Sequence, residues 1–343
     1  MTRRRWWTIA LLLVVALTGA ACGDDDDGGA VTNPTDDKGG DEVARPSFAS
    51  GSTMASLQSD GKITIGVKFD QPGFGQKNPT TGKIEGFDVE IGKLIAQGIY
   101  GGRLDGQEAN IEFVEAVSKN REPFIQEGRV DLVIATYTIN DTRKQVVDFA
   151  GPYFVAQQDL MVKAGDNAIK SVTDLAGKKV CTVKGSTSEK NVRAKAPTAE
   201  VTLFDTYSQC AEALGDGRVV AVTTDNTILA GLVSQSNNAY KLVKAPFSDE
   251  PYGVGLKKGD QAFRDFLNDR LEEIFRNGQW AAAFERTLGK LGLDTPRPPS
   301  IDRYATTGGS TGSSTSTTAG GSGGTSSSTS SSSASSSTTS TTR

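Results

Sequence analysis

The chain of 343 residues contains no histidine, and this absence narrows the functions that are open to it. Histidine provides the general base of Ser-His-Asp catalytic triads and is a frequent metal ligand, so histidine-dependent sites of both kinds are excluded. Catalysis by carboxylates stays open. The chain also lacks an excess of positive charge, since 37 basic residues stand against 41 acidic ones. A nucleic-acid partner is therefore not indicated.

An apolar run long enough to span a membrane is missing at the N-terminus. Residues 6–17 are apolar apart from one threonine, but a span needs about 20 residues. Three arginines precede this run, a pattern typical of a signal peptide. The sequence Thr-Gly-Ala-Ala-Cys that follows resembles a lipobox, which predicts a lipoprotein signal peptide over residues 1–21 and lipidation of Cys22, for example with palmitate. Cleavage near Ala21 by the ordinary secretory route is the alternative.

Both ends of the mature chain have few residues that could build a core. Residues 22–50 are rich in Asp, Gly, Pro and Thr, and they are predicted to form a solvated acidic tether. Residues 305–343 are almost only Ser, Thr and Gly, and they are predicted to be disordered. The stretch between them is long enough for two domains of ordinary size.

The central stretch alternates strands with helices, which predicts an α/β fold with mostly parallel sheets. Strands are expected at residues 62–69, 110–114, 130–136, 159–163, 179–183, 201–204, 219–223 and 252–256. Helices are expected at residues 86–100, 120–127, 171–176, 188–195, 207–214, 226–234, 260–276 and 278–288. The last expected strand, at residues 252–256, comes after all the strands of the second half and brings the chain back to the first half. One lobe is therefore expected to be discontinuous in sequence, with the other lobe inserted into it.

The helix expected at residues 86–100 has an apolar face and two acidic residues, Asp88 and Glu90, in its first turn. Its sequence, Gly-Phe-Asp-Val-Glu-Ile-Gly-Lys-Leu-Ile, resembles the signature of the family 3 extracellular solute-binding proteins, the polar amino acid receptors of ABC importers. The resemblance implies a two-lobed periplasmic-binding-protein type II fold with the ligand in the cleft between the lobes. Lobe 1 would comprise residues 51–156 and 251–304, and lobe 2 residues 157–250. The crossing segments would lie near residues 153–160 and 247–252.

Two segments could hold the α-carboxylate of an amino acid. A buried strand leads into residues 136–143, where hydroxyl residues precede an arginine, and the resemblance assigns Thr136, Thr138 and Arg143 to the ligand. A guanidinium binds a carboxylate bidentately. Lys-Gly-Ser-Thr-Ser at 184–188 resembles the matching segment of lobe 2, in which Ser186 and Thr187 would act. The alternatives are a solvated charge at Arg143 and simple helix caps at the two hydroxyl residues of lobe 2.

Four further residues could bind the rest of an amino acid. Asp225 matches the acidic residue that receives the α-ammonium in the family, although it could also cap the following helix. Arg121 resembles the arginine of glutamate and aspartate receptors, and Lys68 and Ser118 would assist it. Two cations that face one cleft repel each other unless an anion joins them, so an acidic side chain is predicted. The alternative is that Lys68 and Arg121 point to solvent.

Aromatic rings could also line the ligand, and Phe69, Phe74 and Tyr137 are candidates, although core packing explains a phenylalanine equally well. Once Cys22 is set aside, Cys181 and Cys210 remain. An even pair in an exported protein favours a disulfide. Without histidine or more thiols, no metal site is expected, and no cofactor is predicted.

These features predict a lipid-anchored receptor for glutamate or aspartate on the outer face of the cytoplasmic membrane. It would be a monomer, would close around one amino acid and would dock on an ABC permease with its ATPase; no enzymatic activity is expected. A receptor for glutamine or another polar amino acid is an alternative, as is a sensor that signals to a membrane partner. A dehydratase-like enzyme would need a cleft carboxylate that acts as an acid.

Overall fold

The computed structural model describes residues 42–305. The predicted signal peptide, Cys22 and the Ser/Thr/Gly tail after residue 305 lie outside these residues. The strands are β1 Glu42–Val43, β2 Ile63–Val67, β3 Asp70–Gln71, β4 Gly75–Lys77, β5 Ile84–Glu85, β6 Gly102–Arg103, β7 Ile111–Glu115, β8 Leu132–Val133, β9 Asp148–Lys163, β10 Lys179–Val183, β11 Glu200–Phe204, β12 Ala221–Asp225, β13 Tyr240–Leu242 and β14 Ser248–Leu256. The α-helices are α1 Thr53–Asp60, α2 Phe87–Tyr100, α3 Arg121–Gln126, α4 Asp141–Lys144, α5 Thr187–Lys195, α6 Tyr207–Gly215, α7 Asn226–Ser234, α8 Gln261–Arg276 and α9 Gln279–Thr287.

Two long strands join the two halves of the molecule. The main sheet has the order β11-β10-β12-β9-β14-β8-β2-β7, and β9 and β14 pair antiparallel at its centre. Strands β10, β11 and β12 are parallel on one side, and β2, β7 and β8 are parallel on the other. The two-lobed α/β fold is therefore confirmed, and β9 and β14 coincide with the predicted crossing segments. The sheet is mixed because both crossing strands run antiparallel to their neighbours.

Helix α2 fixes the position of one wall of the cleft. Its apolar residues, including Phe87, Ile91 and Leu94, are fully buried in the core of lobe 1. Gly86 precedes the helix with φ 138°, and a Cβ there would lie 2.2 Å from the backbone oxygen of Phe74. Only glycine fits this close backbone approach, which explains the glycine that opens the signature.

The predicted tether ends earlier than expected, and its boundary at residue 50 is wrong. Strand β1 pairs antiparallel with β6, and the ring of Phe48 packs edge-on against Phe266 with 5.3 Å between the ring centroids. An aromatic side chain and an available strand edge give this short segment enough contacts to order it. The bulk of the proposed tether, before residue 42, lies outside the described residues.

Other differences concern short elements. The strand expected at residues 130–136 is limited to β8, because the chain after it turns through Thr136, whose φ is 45°. Helix α1 was not predicted, although Ser52 caps its start and Gly61 follows its end with positive φ, both ordinary helix signals. The small sheet β3-β4-β5 was also missed. Within residues 42–305, no helix is both long and apolar enough to cross a membrane.

Candidate functional site

The predicted site residues follow strand ends that meet at the cleft between the lobes. Lobe 1 contributes Lys68 after β2, Ser118 and Arg121 after β7, and Thr136, Thr138 and Arg143 after β8. Lobe 2 contributes Ser186 and Thr187 after β10, and Asp225 at the end of β12. All are buried except Thr187, which is half-buried. The alternative in which the three basic side chains are solvated is therefore wrong.

The two lobes are in contact across the cleft. The Asp70 carboxylate of lobe 1 accepts a 2.9 Å hydrogen bond from the backbone N–H of Tyr207, at the start of α6 in lobe 2. Lys119 Nζ lies 2.6 Å from Asp205 in an ion pair across the cleft mouth. Gly185 packs directly against the Lys119 backbone, with only 2.9 Å between a Cβ placed there and Lys119 Cα. The structure thus represents a closed arrangement.

Arg143 lies at the junction of the lobes. Its Nη1 donates to Thr138 O at 2.7 Å, its Nη2 to Gly185 O at 3.3 Å and its Nε to Glu122 Oε1 at 2.9 Å. Although burial opposes ionisation of Glu122, Arg121 and Arg143 keep the pKa of this carboxyl below its usual value. A guanidinium has five N–H groups, so one hydrogen on each Nη stays available for a ligand carboxylate.

Two hydroxyls predicted to bind the ligand also donate to a carboxylate of the protein. Glu250 Oε2 accepts from Thr138 Oγ1 at 2.8 Å and from Thr187 Oγ1 at 2.7 Å. Glu250 lies on β14 and is 1% exposed. Glu250 was not among the predicted ligand-binding residues, although it falls within the crossing segment predicted at residues 247–252.

The other hydroxyl residues also have partners within the protein. Ser186 caps α5, since its side chain accepts from Glu189 N at 3.0 Å and donates to Val183 O at 2.7 Å. The cap alternative is thus correct for Ser186. Thr136 Oγ1 lies 3.0 Å from Gln71 Oε1, and the N–H of Thr136 donates to Asp88. A ligand contact at these two residues remains a prediction, and a helix start such as that of α5 is a place where backbone amides can bind an anion.

Asp225 presents one unpaired oxygen. Its Oδ2 accepts a 2.5 Å hydrogen bond from the phenol of Tyr252, and its Oδ1 is buried without a partner among residues 42–305. Asp225 occupies the N-cap position of α7, as the alternative suggested, but its side chain forms no cap hydrogen bond. Burial, and next the charge of Glu250, raise the pKa of Asp225 to about 7, while the Tyr252 hydrogen bond opposes this shift. Such a carboxyl is suited to a cationic partner.

Lys68 and Arg121 lie close together on the lobe 1 side. Lys68 Nζ donates to Ser118 Oγ at 3.0 Å, and Arg121 Nη1 donates to the backbone oxygens of Ala135 and Thr136 at 3.0 Å each. Neither cation forms an ion pair in the part of the chain that the structure describes. Burial, and next the charge of Arg121, hold the pKa of Lys68 well below its ordinary value.

Asp88 is one of the two carboxylates predicted to lie in the first turn of the signature helix. It is fully buried, and it accepts from the Tyr153 phenol at 2.6 Å and from Thr136 N at 2.9 Å. Burial raises the pKa of Asp88 to about 7, although both hydrogen bonds, Lys68 and Arg121 oppose the shift. Asp88 is therefore a neighbour of the Lys68–Arg121 pair. Its position in the first turn of the signature helix was the sequence feature that could have indicated this.

The three candidate aromatic residues differ in their roles. Tyr137 lies beneath two guanidinium groups, 4.5 Å from Arg121 and 4.8 Å from Arg143, and so helps to orient both. Phe74 is fully buried against Phe87 and other core rings, as the packing alternative suggested. Phe69 is partly buried and lies beneath the ammonium of Lys77 at 5.4 Å.

The predicted disulfide is present. Cys181 on β10 and Cys210 on α6 are bridged, with 5.5 Å between their Cα atoms. Both are fully buried in lobe 2, and the bond ties α6 to the sheet. Neither sulfur is among the predicted ligand-binding groups at the cleft, so the bond has a structural role.

Comparisons with known proteins agree with this geometry. The family model of the bacterial extracellular solute-binding proteins, family 3, matches residues 63–290. The ABC transporter glutamine-binding protein GlnH of Bacillus subtilis (strain 168) is 44% identical over 237 residues, which are 69% of this chain and 84% of that protein. The glutamate-binding protein GluB of Corynebacterium glutamicum is 37% identical over 243 residues, 69% of this chain and 81% of that protein.

A solved structure, an ancestral arginine-binding protein bound to glutamine, shares 38% identity with a TM-score of 0.61. That similarity covers 67% of this chain and 98% of the ancestral protein. The matched region contains both halves of the sheet and the cleft between them. The chain therefore belongs to the bacterial extracellular solute-binding proteins, family 3.

Proposed function

We propose that this protein is the lipid-anchored receptor of an ABC importer for glutamate or aspartate. The observation that supports it most is the buried pair of cations, Lys68 and Arg121, which have no ion-pair partner among residues 42–305. Removing two like charges from water is unfavourable unless a carboxylate joins them. The side-chain carboxylate of an acidic amino acid would supply that charge.

The remaining groups would bind the invariant part of an amino acid. The two free N–H directions of Arg143 would receive the α-carboxylate, with the backbone amides at the start of α5 on the opposite side. The unpaired Oδ1 of Asp225 would receive the α-ammonium. Because one ligand would touch both lobes, its binding would favour the closed arrangement, and the closed form would dock on a permease.

A glutamine receptor is the second candidate, and two observations favour it. GlnH, a glutamine-binding protein, shares more identity with this chain than GluB does. Asp88 also lies near the cation pair and could offset part of its charge. With a pKa of about 7, however, Asp88 is only partly ionised at neutral pH. The charges of Asp70 and Glu122 also act on Lys68 and Arg121, but neither carboxylate forms an ion pair with these two cations among residues 42–305.

Binding can be tested without assuming the ligand. The purified protein would be denatured, and the amino acids released from it would be identified by chromatography. Thermal unfolding would then be measured with each common amino acid, because a ligand that binds only the folded state raises its midpoint. Glutamate or aspartate should be recovered and should give the largest shift. Recovery of glutamine alone would support the second candidate.

Membrane attachment and transport need separate measurements. Radiolabelled palmitate should be incorporated into the wild-type protein and not into a Cys22→Ser variant; equal labelling of both would end the proposal of an anchor at Cys22.

Cells that depend on this protein to take up labelled glutamate should lose that uptake when they carry the Arg143→Ala variant. Unchanged uptake in cells that lack the protein would favour a sensing role instead.

A further inference from the structure

A short segment beyond the family match packs against lobe 1. The match ends at residue 290, and residues 301–304 follow it without forming a helix or a strand. They contact three elements of lobe 1, namely the crossing strand β9, helix α4 and helix α8. We call residues 301–304 the strap. Tyr304 contacts all three of these elements.

The strap covers an edge of the crossing strand β9. In its lobe 1 half this strand pairs with β14 on one side, whereas β12 and β13 pair with the other side only in lobe 2. The phenol oxygen of Tyr304 accepts a 2.7 Å hydrogen bond from Phe149 N, and Asp302 N donates to Gly151 O at 2.8 Å. The strap thus satisfies a buried backbone donor and a buried acceptor on that side of β9.

Tyr304 also contacts the helix that carries Arg143. Helix α4 has only four residues, and Lys144 follows Arg143 within it. The Lys144 ammonium lies 3.9 Å from the centroid of the Tyr304 ring and 3.3 Å from a carboxylate oxygen of Asp302. Because a helix of this length is not stable by itself, its orientation depends on such contacts.

A second route from Tyr304 to Arg143 passes through the core. The ring of Phe149 lies 4.8 Å from the ring of Tyr137, which lies beneath the guanidinium groups of Arg121 and Arg143. Tyr304 packs against the same hydrophobic cluster. Since close-packed side chains transmit displacements, a shift of β9 at Phe149 would move the ring that supports Arg143.

A buried cation helps to hold Tyr304 in place. Arg264 on α8 is buried, and its Nε and Nη1 have no hydrogen-bond partner among residues 42–305. Its Nη2 donates to the backbone oxygen of Tyr304 at 2.7 Å, and its guanidinium lies 4.4 Å from the centroid of the Tyr304 ring. The face of an aromatic ring stabilises a desolvated guanidinium. Displacement of the strap would remove both contacts from Arg264.

We propose that Tyr304 is a positioning residue for Arg143, and that the strap keeps this arginine oriented for a ligand carboxylate before the ligand arrives. This inference rests on the role that the proposed function gives to Arg143. The α-carboxylate is common to all amino acids. Loss of the Tyr304 contacts should therefore weaken the binding of both glutamate and glutamine.

Calorimetry with Tyr304→Ala and Tyr304→Phe tests this assignment, at a temperature at which circular dichroism shows each variant to be folded. Tyr304→Ala removes the ring and the hydrogen bond, and it should bind glutamate and glutamine at least about tenfold more weakly, equivalent to about 1.4 kcal/mol. Tyr304→Phe keeps the ring next to both cations, so it should bind more tightly than Tyr304→Ala. Wild-type affinity in Tyr304→Ala would contradict the proposal.

Arg303→Ala is the matched control within the strap. Arg303 pairs with Asp269 and Glu272 on α8, on the surface of the protein. Exposed ion pairs of this kind contribute little to stability. This variant should keep the wild-type affinities. A loss as large as that of Tyr304→Ala would assign the effect to the attachment of the strap as a whole and would overturn the role of Tyr304.

A double-mutant cycle tests whether Tyr304 acts through Arg143. The Tyr304→Ala change would be introduced into Arg143→Lys, and binding would be followed by titration at high ligand concentration. In this background it should cost no more than about threefold in affinity, because the bidentate contact that Tyr304 positions is already lost. A further tenfold loss would show that Tyr304 acts through another group, and it would overturn the proposal.

A last readout needs no ligand. Arg143 Nε donates to Glu122 Oε1, so the NMR resonance of this N–H group reports the orientation of the guanidinium. The resonance should shift or broaden in Tyr304→Ala, whereas that of Arg270, whose Nε donates to Leu94 O, should stay unchanged. Lys144→Met removes the ammonium from the ring and should also move the Arg143 signal, so it serves if Tyr304→Ala does not fold.

An unchanged Arg143 resonance in the variants that fold would contradict the positioning role. This outcome is independent of the ligand. If the wild-type protein binds no amino acid, the proposed function fails, and the resonance still tests the contact between the strap and Arg143. The two failures are therefore distinguishable.

Discussion

The phenol of Tyr252 donates a 2.5 Å hydrogen bond to Asp225 Oδ2, and Asp225 Oδ1 has no partner among residues 42–305. The phenol stands on the crossing strand β14, and the carboxyl ends β12 of lobe 2. The crossing strand thus orients the carboxyl and leaves one of its oxygens without a hydrogen-bond partner in the part of the chain that the structure describes. The same carboxyl has a pKa of about 7, mainly because it is buried.

Ligand affinity should depend on pH through Asp225. An α-ammonium is bound by the ionised carboxylate, so below the pKa of about 7 binding must displace a proton. Affinity should therefore rise by up to tenfold per pH unit between about pH 5.5 and 7 and level off above it. Calorimetry across pH 5.5–8.5 would measure this. Asp225→Asn should bind weakly with a flatter profile, and an equally steep profile in that variant would place the titrating group elsewhere.

Stability of the ligand-free protein should change with pH in the opposite direction. The pKa values of Asp88 and Asp225 are raised to about 7 in the folded protein, from 3.8 for an ordinary aspartate. The folded state then binds more protons between pH 4 and 7, so this stabilisation is complete below pH 4 and is lost as the pH rises through 7. Each group should contribute a slope of up to about 1.4 kcal/mol per pH unit.

Urea unfolding at pH 5.5 and pH 8 would measure this slope. Other groups titrate as well, so the informative quantity is the difference from Asp225→Asn. The variant should lose less stability than the wild type between these two pH values. Equal losses would mean that the Asp225 carboxyl is already ionised in the folded protein at pH 5.5.

Arg143→Ala should remove binding of every amino acid while the protein stays folded. Loss of one partner of a desolvated charge pair costs about 2–5 kcal/mol, or roughly 30-fold or more in affinity. Arg143→Lys keeps the charge but cannot bind a carboxylate bidentately, so it should also bind weakly. Arg193→Ala is the control, because Arg193 lines the cleft mouth but pairs with Glu189 and has a 51% exposed side chain. Near-normal affinity in Arg143→Ala would exclude Arg143 from the site.

Loss of the disulfide should affect stability more than binding. The bridge closes a loop with a sequence separation of 29 residues, and the chain-entropy model assigns it about 3–4 kcal/mol. The double variant Cys181→Ser, Cys210→Ser should unfold at lower urea concentration. Its affinity at low temperature should stay within about threefold of the wild type. A larger loss of affinity would mean that the bond also positions α5 or α6 at the cleft.

Periodicity and strand ends were sufficient to predict which residues lie at the cleft. The apolar face of α2 and the order of the elements followed from local patterns. Placement of Arg121, Arg143 and Asp225 in one cleft followed from the position of each after a strand, because strand ends converge in such folds. The resemblance then supplied the ligand roles that are proposed for these residues.

The partners of individual side chains could not be predicted in this way. The hydroxyls of Thr138 and Thr187 bond to Glu250, more than sixty residues away from either, and only the closed packing of the lobes shows this. Asp88 looked like an ordinary first-turn acid, yet it is fully buried and accepts a hydrogen bond from Tyr153 on the crossing strand. Sequence reasoning identified which residues reach the cleft and not which atoms they contact.

The central claim is that the ligand has an acidic side chain. Calorimetry with glutamate, aspartate and glutamine at neutral pH tests this claim most directly. Glutamate or aspartate should bind at least about tenfold more tightly than glutamine, about 1.4 kcal/mol. Arg121→Ala should reduce this preference, while Arg129→Ala, which removes a guanidinium stacked on Phe124 in the same lobe, should keep it. Tighter binding of glutamine, or equal losses for both ligands in Arg121→Ala, would contradict the acidic-ligand proposal.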